Sequence, residues 1–143
     1  MGMFTAKLRV WHPAHPEQVG EFELWVDTGA AYSWIFRERL EAMGIQPTGR
    51  MEFCAIEGRI FERDMAAVLV SADGRIGGDT VVMAEPGDME VLGAFTLESL
   101  GLVPDVIQKK LVPIEVGLAL PAGHSRHSRV AGGRKNPVRR IRD

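Results

Sequence analysis

WVDTGAAYSWI, residues 25–35, decides how the rest of the chain reads. An apolar strand end, Trp25-Val26, delivers Asp27 to a turn-like break at Thr28-Gly29-Ala30. A second apolar stretch, ending at Trp34-Ile35, follows at once. A carboxylate set in this way is fixed in space by its strand. Gly29 has no Cβ and lets backbone amides approach the carboxylate oxygens. Thr28 carries a hydroxyl able to lock the loop, and Ala30 is small enough to leave room for a ligand. Asp and Gly are also ordinary turn residues, so the short motif is a hypothesis that its surroundings must support.

Upstream, TAKLRVW (5–11) alternates, with Ala6, Leu8 and Val10 on one face. EFELWV (21–26) places Phe22, Leu24 and Val26 likewise, and the Pro-rich HPAHPE (12–17) joins the two into a first hairpin. Downstream, AYSWI (31–35) predicts a short apolar strand, and FRERLEAM (36–43) a short helix that Gly44 ends. Residues 50–56 and 59–70 are strand-like, with a tight turn at Glu57-Gly58. Ala72-Asp73-Gly74 turns the chain into a strand over about 75–84, and AEPGD (84–88) is a loop. AFTLESL (94–100) predicts a second helix closed by Gly101. Residues 102–107 and 111–116 form a last strand pair around Gln108-Lys109-Lys110. Seven or eight short strands with turn signals at intervals of roughly ten residues point to a mainly all-β sandwich or barrel. The order does not alternate as a βαβ fold requires.

At 143 residues, 45% hydrophobic and 25% charged, the chain suits one globular domain. Its net charge of −2 conceals an asymmetry: residues 1–120 carry −8 and residues 121–143 carry +6. The expectation is a folded domain over 1–120 and a basic, disordered tail over 121–143, which is rich in Pro, Gly, Ser and Arg. The balance gives no pull toward membranes, and the tail lacks the aromatic interleaving of a single-strand binder, so nucleic acid is not an expected partner. One cysteine, Cys54, excludes a disulfide within the chain and fits a reducing compartment. MGMFTAKLRV has no secretory h-region, and no apolar run reaches membrane-spanning length, so a cytoplasmic location is expected. Two H-x-x-H pairs, His12/His15 and His124/His127, lie in a Pro-interrupted loop and in the tail. No Cys or carboxylate set completes either, and no metal is expected. Cys54 reads as a small apolar strand residue, and Trp11, Trp25 and Trp34 as packing around the Asp27 strand.

Three blocks together resemble the retropepsin-like aspartic peptidases, in particular their small prokaryotic members. They are WVDTGAAYSWI with FRERLEAMGI (25–45), the hairpin EFCAIEGRIFERD (52–64), and Val91-Leu92-Gly93 running on into AFTLESLGLVPD (94–105) and KKLVPI (109–114). The resemblance spans nearly all of residues 5–116. It implies a closed β-barrel or sandwich with a flap hairpin. Asp27 would be the catalytic aspartate, and Thr28 would brace two active-site loops against each other across a dimer. Gly29 and Ala30 would lie beside the substrate backbone. Ala55, Ile56, Glu57 and Gly58 would belong to a flap over the cleft, and Val91, Leu92 and Gly93 would pack beneath the catalytic loop. The chain departs from the viral members at the flap tip, where Ile56-Glu57-Gly58 replaces a glycine-rich turn, and at the bulky Trp34.

Such chemistry needs two carboxylates sharing one proton. This chain has a single D-T-G, and 143 residues cannot hold two such lobes. The second carboxylate is therefore expected from Asp27 of another copy across a two-fold axis, with the strand near 111–116 and the residues before Lys7 as interface candidates. The expected function is a homodimeric aspartic endopeptidase acting on polypeptides without any cofactor. The alternative is a catalytically weak peptide-binding or regulatory module on the same fold.

Overall fold

The computed structural model describes residues 3–115. The expected tail at 121–143 with His124 and His127, the last residues of the expected domain, and Val116 of the last expected strand lie outside the described residues. Among the described residues nine strands and two short helices follow in the order β1 (Thr5–Trp11), β2 (Gly20–Val26), β3 (Trp34–Phe36), α1 (Arg37–Glu41), β4 (Gly49–Cys54), β5 (Ile60–Ala72), β6 (Arg75–Ala84), β7 (Val91–Leu92), α2 (Ala94–Leu100), β8 (Leu102–Asp105) and β9 (Lys110–Pro113).

The molecule is mainly β, and its principal sheet is mixed. β1 pairs antiparallel with β2, Thr5 opposite Trp25 and Leu8 opposite Phe22. β2 runs parallel to β7, β7 antiparallel to β3, and β3 parallel to β6. β6 and β5 form a long antiparallel pair, and β5 returns to β1 with Val10 opposite Val70. Six strands thus close on themselves, which removes their open edges. β5 is long enough to serve two partners. Its second half lies in the closed sheet, and its first half projects from it to pair with β4, Cys54 opposite Ile60. β8 and β9 make a separate two-stranded sheet.

The alternating strands behave as their period requires. Leu8 and Val10 of β1 and Phe22 and Leu24 of β2 point into one core with Ile35, Val70, Val81 and Met83. Leu40 of α1 and Leu97 and Leu100 of α2 cover it. Gly44 and Gly101 sit just past the helices in the left-handed region. Asp73 and Gly74 both have positive φ, the geometry that a two-residue hairpin turn demands.

Three sequence expectations are corrected. The strand expected over 31–35 begins only at Trp34, because Ala30 and Ala31 use their carbonyls to accept amides from α2. The β4–β5 turn is not a two-residue turn at Glu57-Gly58. Ala55 pairs with Arg59 (N–H to O, 2.9 Å), leaving a three-residue loop, Ile56-Glu57-Gly58, in which Gly58 takes φ +98°. Cys54 is exposed rather than packed, as is most of β4, because this hairpin projects beyond the closed sheet. Among the described residues no helix is long and apolar enough to cross a membrane.

Candidate active site

Asp27 follows the last residue of β2, where two strands meet. Its N–H donates to the Leu92 carbonyl (3.0 Å), continuing the parallel β2–β7 ladder by one residue. Its carbonyl accepts the Ala30 N–H (3.1 Å), which closes the turn, and its Oδ1 accepts the Gly29 N–H (2.9 Å). At the far side of the turn, the carbonyls of Ala30 and Ala31 accept the N–H groups of Ala94 and Phe95, both at 2.8 Å. Those amides belong to the first turn of α2, which has no partners of its own to offer them. The loop is therefore tied at both ends to one segment, Leu92–Phe95.

Gly93 is the pivot of that segment. A Cβ there would land against the Tyr32 carbonyl, well inside van der Waals contact, and 2.8 Å from the Ala30 oxygen. Only glycine allows the backbones to lie this close. Val91 and Leu92, both buried, lie between β2 and β3. The Asp27, Thr28 and Gly29 side of the loop is exposed.

In front of the loop is an open cleft of about 310 Å³ lined by Asp27, Ala30, Trp34, Asp88, Met89 and Val91. A somewhat larger hollow of about 370 Å³, around Phe36 and Pro86, shares no lining residue with it, and the charged groups Arg37 and Glu85 on its wall are paired with each other. The cleft is the better site because it combines an exposed carboxylate with apolar walls.

Asp88, the second acid of the cleft, is committed elsewhere. Arg63 grips both its oxygens (2.7 and 2.9 Å), and the Glu85 N–H donates to it as well (2.7 Å). The Arg63 guanidinium holds the Asp88 carboxyl below the usual carboxylate range and rests 4.7 Å above the Phe61 ring. Asp88 is thus held in its ionised form, with three hydrogen bonds already on its oxygens.

The β4–β5 hairpin meets the site through aromatic rings. Phe53 packs on Trp34 with centroids 5.1 Å apart and stands edge-on to Tyr32 at 6.3 Å; Phe61 lies 6.0 Å from Phe53. Of the three tryptophans expected around the Asp27 strand, Trp34 joins this cluster, and Trp25 projects from β2 at 42% exposure. The base of the hairpin is fastened by charge: Asp64 is shared by Arg37 and Arg50, which lower its carboxyl below the ordinary range, and Arg37 also binds Glu85. At the tip, Ile56 is fully exposed, and Glu57 pairs with Arg59 at 3.1 Å. None of Ala55, Ile56, Glu57 or Gly58 lines the Asp27 cleft of the single chain.

Sequence reading passed over three residues behind the loop. The Gly93 N–H donates to Ser33 Oγ (2.9 Å), Ser33 is hydrogen-bonded to Thr96 (2.6 Å), and Thr96 donates to Asp79. The signal available in the sequence was Gly77-Gly78, a glycine pair inside a strand, which marks close approach of another backbone. Among the described residues no group of three or more His, Cys, Asp or Glu is placed to hold a metal ion. Neither a family model, nor a curated protein, nor a solved structure matches the chain.

Proposed function

We propose that the chain is one subunit of a homodimeric aspartic endopeptidase of the retropepsin-like kind, with Asp27 of two copies forming the catalytic pair. The observation that carries this reading is the state of the two acids in the cleft. Asp27 is exposed and accepts a single hydrogen bond from its own loop, to Oδ1. Asp88 is engaged on both oxygens by Arg63, which favours its ionised form and disfavours its sharing a proton. A proton-sharing pair therefore has to be completed from a second copy, and a two-fold axis beside Asp27 brings the same residue there. Exposed Trp25, two residues before Asp27, and exposed Met3 offer apolar surface for such a contact.

In this reading two carboxylates a few ångströms apart hold one proton between them, since both cannot ionise easily. The ionised one takes a proton from a water, whose oxygen bonds to the scissile carbonyl carbon. The protonated one gives its proton to the carbonyl oxygen. The tetrahedral intermediate then collapses: the C–N bond breaks with its electron pair staying on nitrogen, nitrogen takes the proton first removed from water, and one hydroxyl of the intermediate returns its proton to the other carboxylate as it becomes the new carbonyl. Carboxylic acid and amine leave, and the pair is again singly protonated. No cofactor enters the balance. Gly29 and Ala30 would lie along the substrate backbone, Thr28 would brace its partner-subunit counterpart, and the hairpin tip would close over the cleft. Trp34, Met89 and Val91 form an apolar wall suited to large apolar side chains.

The test is cleavage of a diverse peptide mixture by the wild-type chain and by Asp27→Asn from acid to neutral pH. Cleavage by the wild type alone is expected. Equal cleavage by both proteins would refute the assignment of Asp27, and no cleavage by a dimeric wild type would favour a peptide-binding module.

A further inference from the structure

Ser33 and Thr96 are the two polar side chains that are fully buried among the described residues, each with no accessible surface. With Asp79 ionised, their hydrogen bonds have only one consistent direction. The Gly93 N–H can only donate, so Ser33 Oγ accepts it at 2.9 Å. The one proton of Ser33 then goes to Thr96 Oγ1 at 2.6 Å, and the one proton of Thr96 goes to Asp79 Oδ2 at 2.5 Å. The other oxygen of Asp79 accepts the Thr80 N–H at 2.9 Å. A backbone donor stands at one end and an acceptor-only carboxylate at the other, so each bond polarises the next.

The Gly93 end of this chain lies between the two attachments of the Asp27 loop. Leu92 supplies the carbonyl that accepts the Asp27 N–H, and Ala94 supplies the N–H bound to the Ala30 carbonyl. The Asp79 end reaches so far because α2 lies directly on β6. A Cβ on Gly77 would meet Ser99 Oγ at 2.6 Å, and Ser99 Oγ donates to the Gly78 carbonyl at 2.8 Å. Burial pushes the Asp79 carboxyl up while Thr96 and Thr80 draw it back. An acid retained in such surroundings carries a desolvation cost that an apolar residue would avoid.

We propose that Asp79 is a positioning residue for the Asp27 loop: acting through Thr96 and Ser33, its carboxylate fixes the Gly93 amide and so sets how Asp27 is presented to the cleft. What the loop is positioned for rests on the peptidase reading; that the chain holds the loop does not. Asp79→Asn replaces one acceptor oxygen by an NH2 donor, which must face either Thr96 or Thr80. With the NH2 on Thr96 the bond direction reverses and the buried Ser33 proton loses its acceptor; with it on the exposed Thr80 amide, Thr96 keeps an acceptor but one without the carboxylate's charge. Thr96→Val removes the central hydroxyl at nearly constant shape, whereas Thr96→Ser keeps it.

The experiment measures two quantities on the full chain and these three variants, after thermal melts have shown each to be folded. One is amide hydrogen exchange at Asp27, Gly93 and Ala94. The other is kcat and KM on a peptide that the wild type cleaves. Thr96→Val and Asp79→Asn are expected to speed exchange at those amides about tenfold. They should also lower kcat about ten- to a hundredfold with little change in KM, because a small displacement of a reacting group is costly. Thr96→Ser should match the wild type in both. Unchanged exchange in Thr96→Val would overturn the proposal, as would equal damage from Thr96→Ser, or a rise in KM with kcat intact. If exchange responds as expected while the wild type shows no Asp27-dependent cleavage, the positioning chain stands and the peptidase reading falls.

Discussion

The Asp27 loop and the tip of the β4–β5 hairpin flank the same aromatic cluster, Tyr32 and Trp34 on one side and Phe53 and Phe61 on the other, yet they are held in opposite ways. The loop is bonded to Leu92 at one end and to Ala94 and Phe95 at the other, and behind it stands a buried chain of side chains ending at Asp79. The tip is held by its own turn: the Gly58 N–H to the Ala55 carbonyl, the Ala55 N–H to the Arg59 carbonyl, and one surface ion pair. In the proposed peptidase the difference would separate a base that presents a carboxylate at a fixed place from a cover that admits and releases a chain. Tertiary bonds are concentrated where the proposed chemistry is, and the hairpin is fastened by charge at its root, through Arg37, Asp64 and the Arg63–Asp88 pair, and by Phe53 on Trp34, with the tip beyond them.

The comparison can be broken most sharply at Asp27 itself. Asp27→Asn should lower kcat by at least about 10³-fold, as loss of a general acid–base group does. The melting temperature should hardly move, because an exposed side chain contributes within about 0.5 kcal/mol. A large loss of stability instead would mean that Asp27 is structural. Two glycine substitutions come next. Gly93→Ala forces a Cβ against the Tyr32 and Ala30 carbonyls and should cost about 3 kcal/mol or more in a denaturant titration. Gly58→Ala, with open space but φ +98°, should cost about 1 kcal/mol. Equal costs would erase the distinction between base and cover.

A smaller effect is expected at Asp88. Arg63 depresses its folded-state carboxyl below the unfolded value of about 4. The stability this pair contributes is therefore present above pH ~4 and lost as pH falls through the folded value. In urea titrations across this range, Asp88→Asn should remove that acid-side loss and cost about 1–2 kcal/mol at neutral pH. A stability curve below pH ~4 unchanged by the substitution would contradict the arrangement. The smallest change in stability is expected at Ile56, where Ile56→Ser should leave the melt within about 0.5 kcal/mol of the wild type. Any effect should appear as a higher KM for peptide, and a shifted melt would show that the tip is packed after all.

Much of this architecture was legible in single residues. Alternation at Leu8 and Val10 and at Phe22 and Leu24 gave strand faces that the core uses, and Asp73-Gly74, Gly44 and Gly101 marked true ends of elements. Local pattern failed where long-range contacts decide. AYSWI is largely apolar, but Ala31 is spent on an amide of α2 and only Trp34 and Ile35 enter a strand. Cys54 sits in a strand-forming run, yet whether that strand projects from the sheet depends on how β5 divides its length between partners. The closure of β5 on β1 has no signature in either segment. Asp27 itself was legible because strand, turn and glycine are contiguous. Ser33 and Thr96 were not, being 63 residues apart in sequence and joined only by folding.

The central claim is that Asp27 works only opposite another Asp27, and mixing tests it directly. Wild-type chain is combined with Asp27→Asn chain under conditions that let subunits exchange, and cleavage is measured per wild-type chain. With random pairing across a two-fold axis, an equal mixture should retain about half of that activity, and a tenfold excess of the variant about a tenth. Activity per wild-type chain that stays constant at every ratio, with subunit exchange verified, would contradict the account and place the whole reaction within one chain.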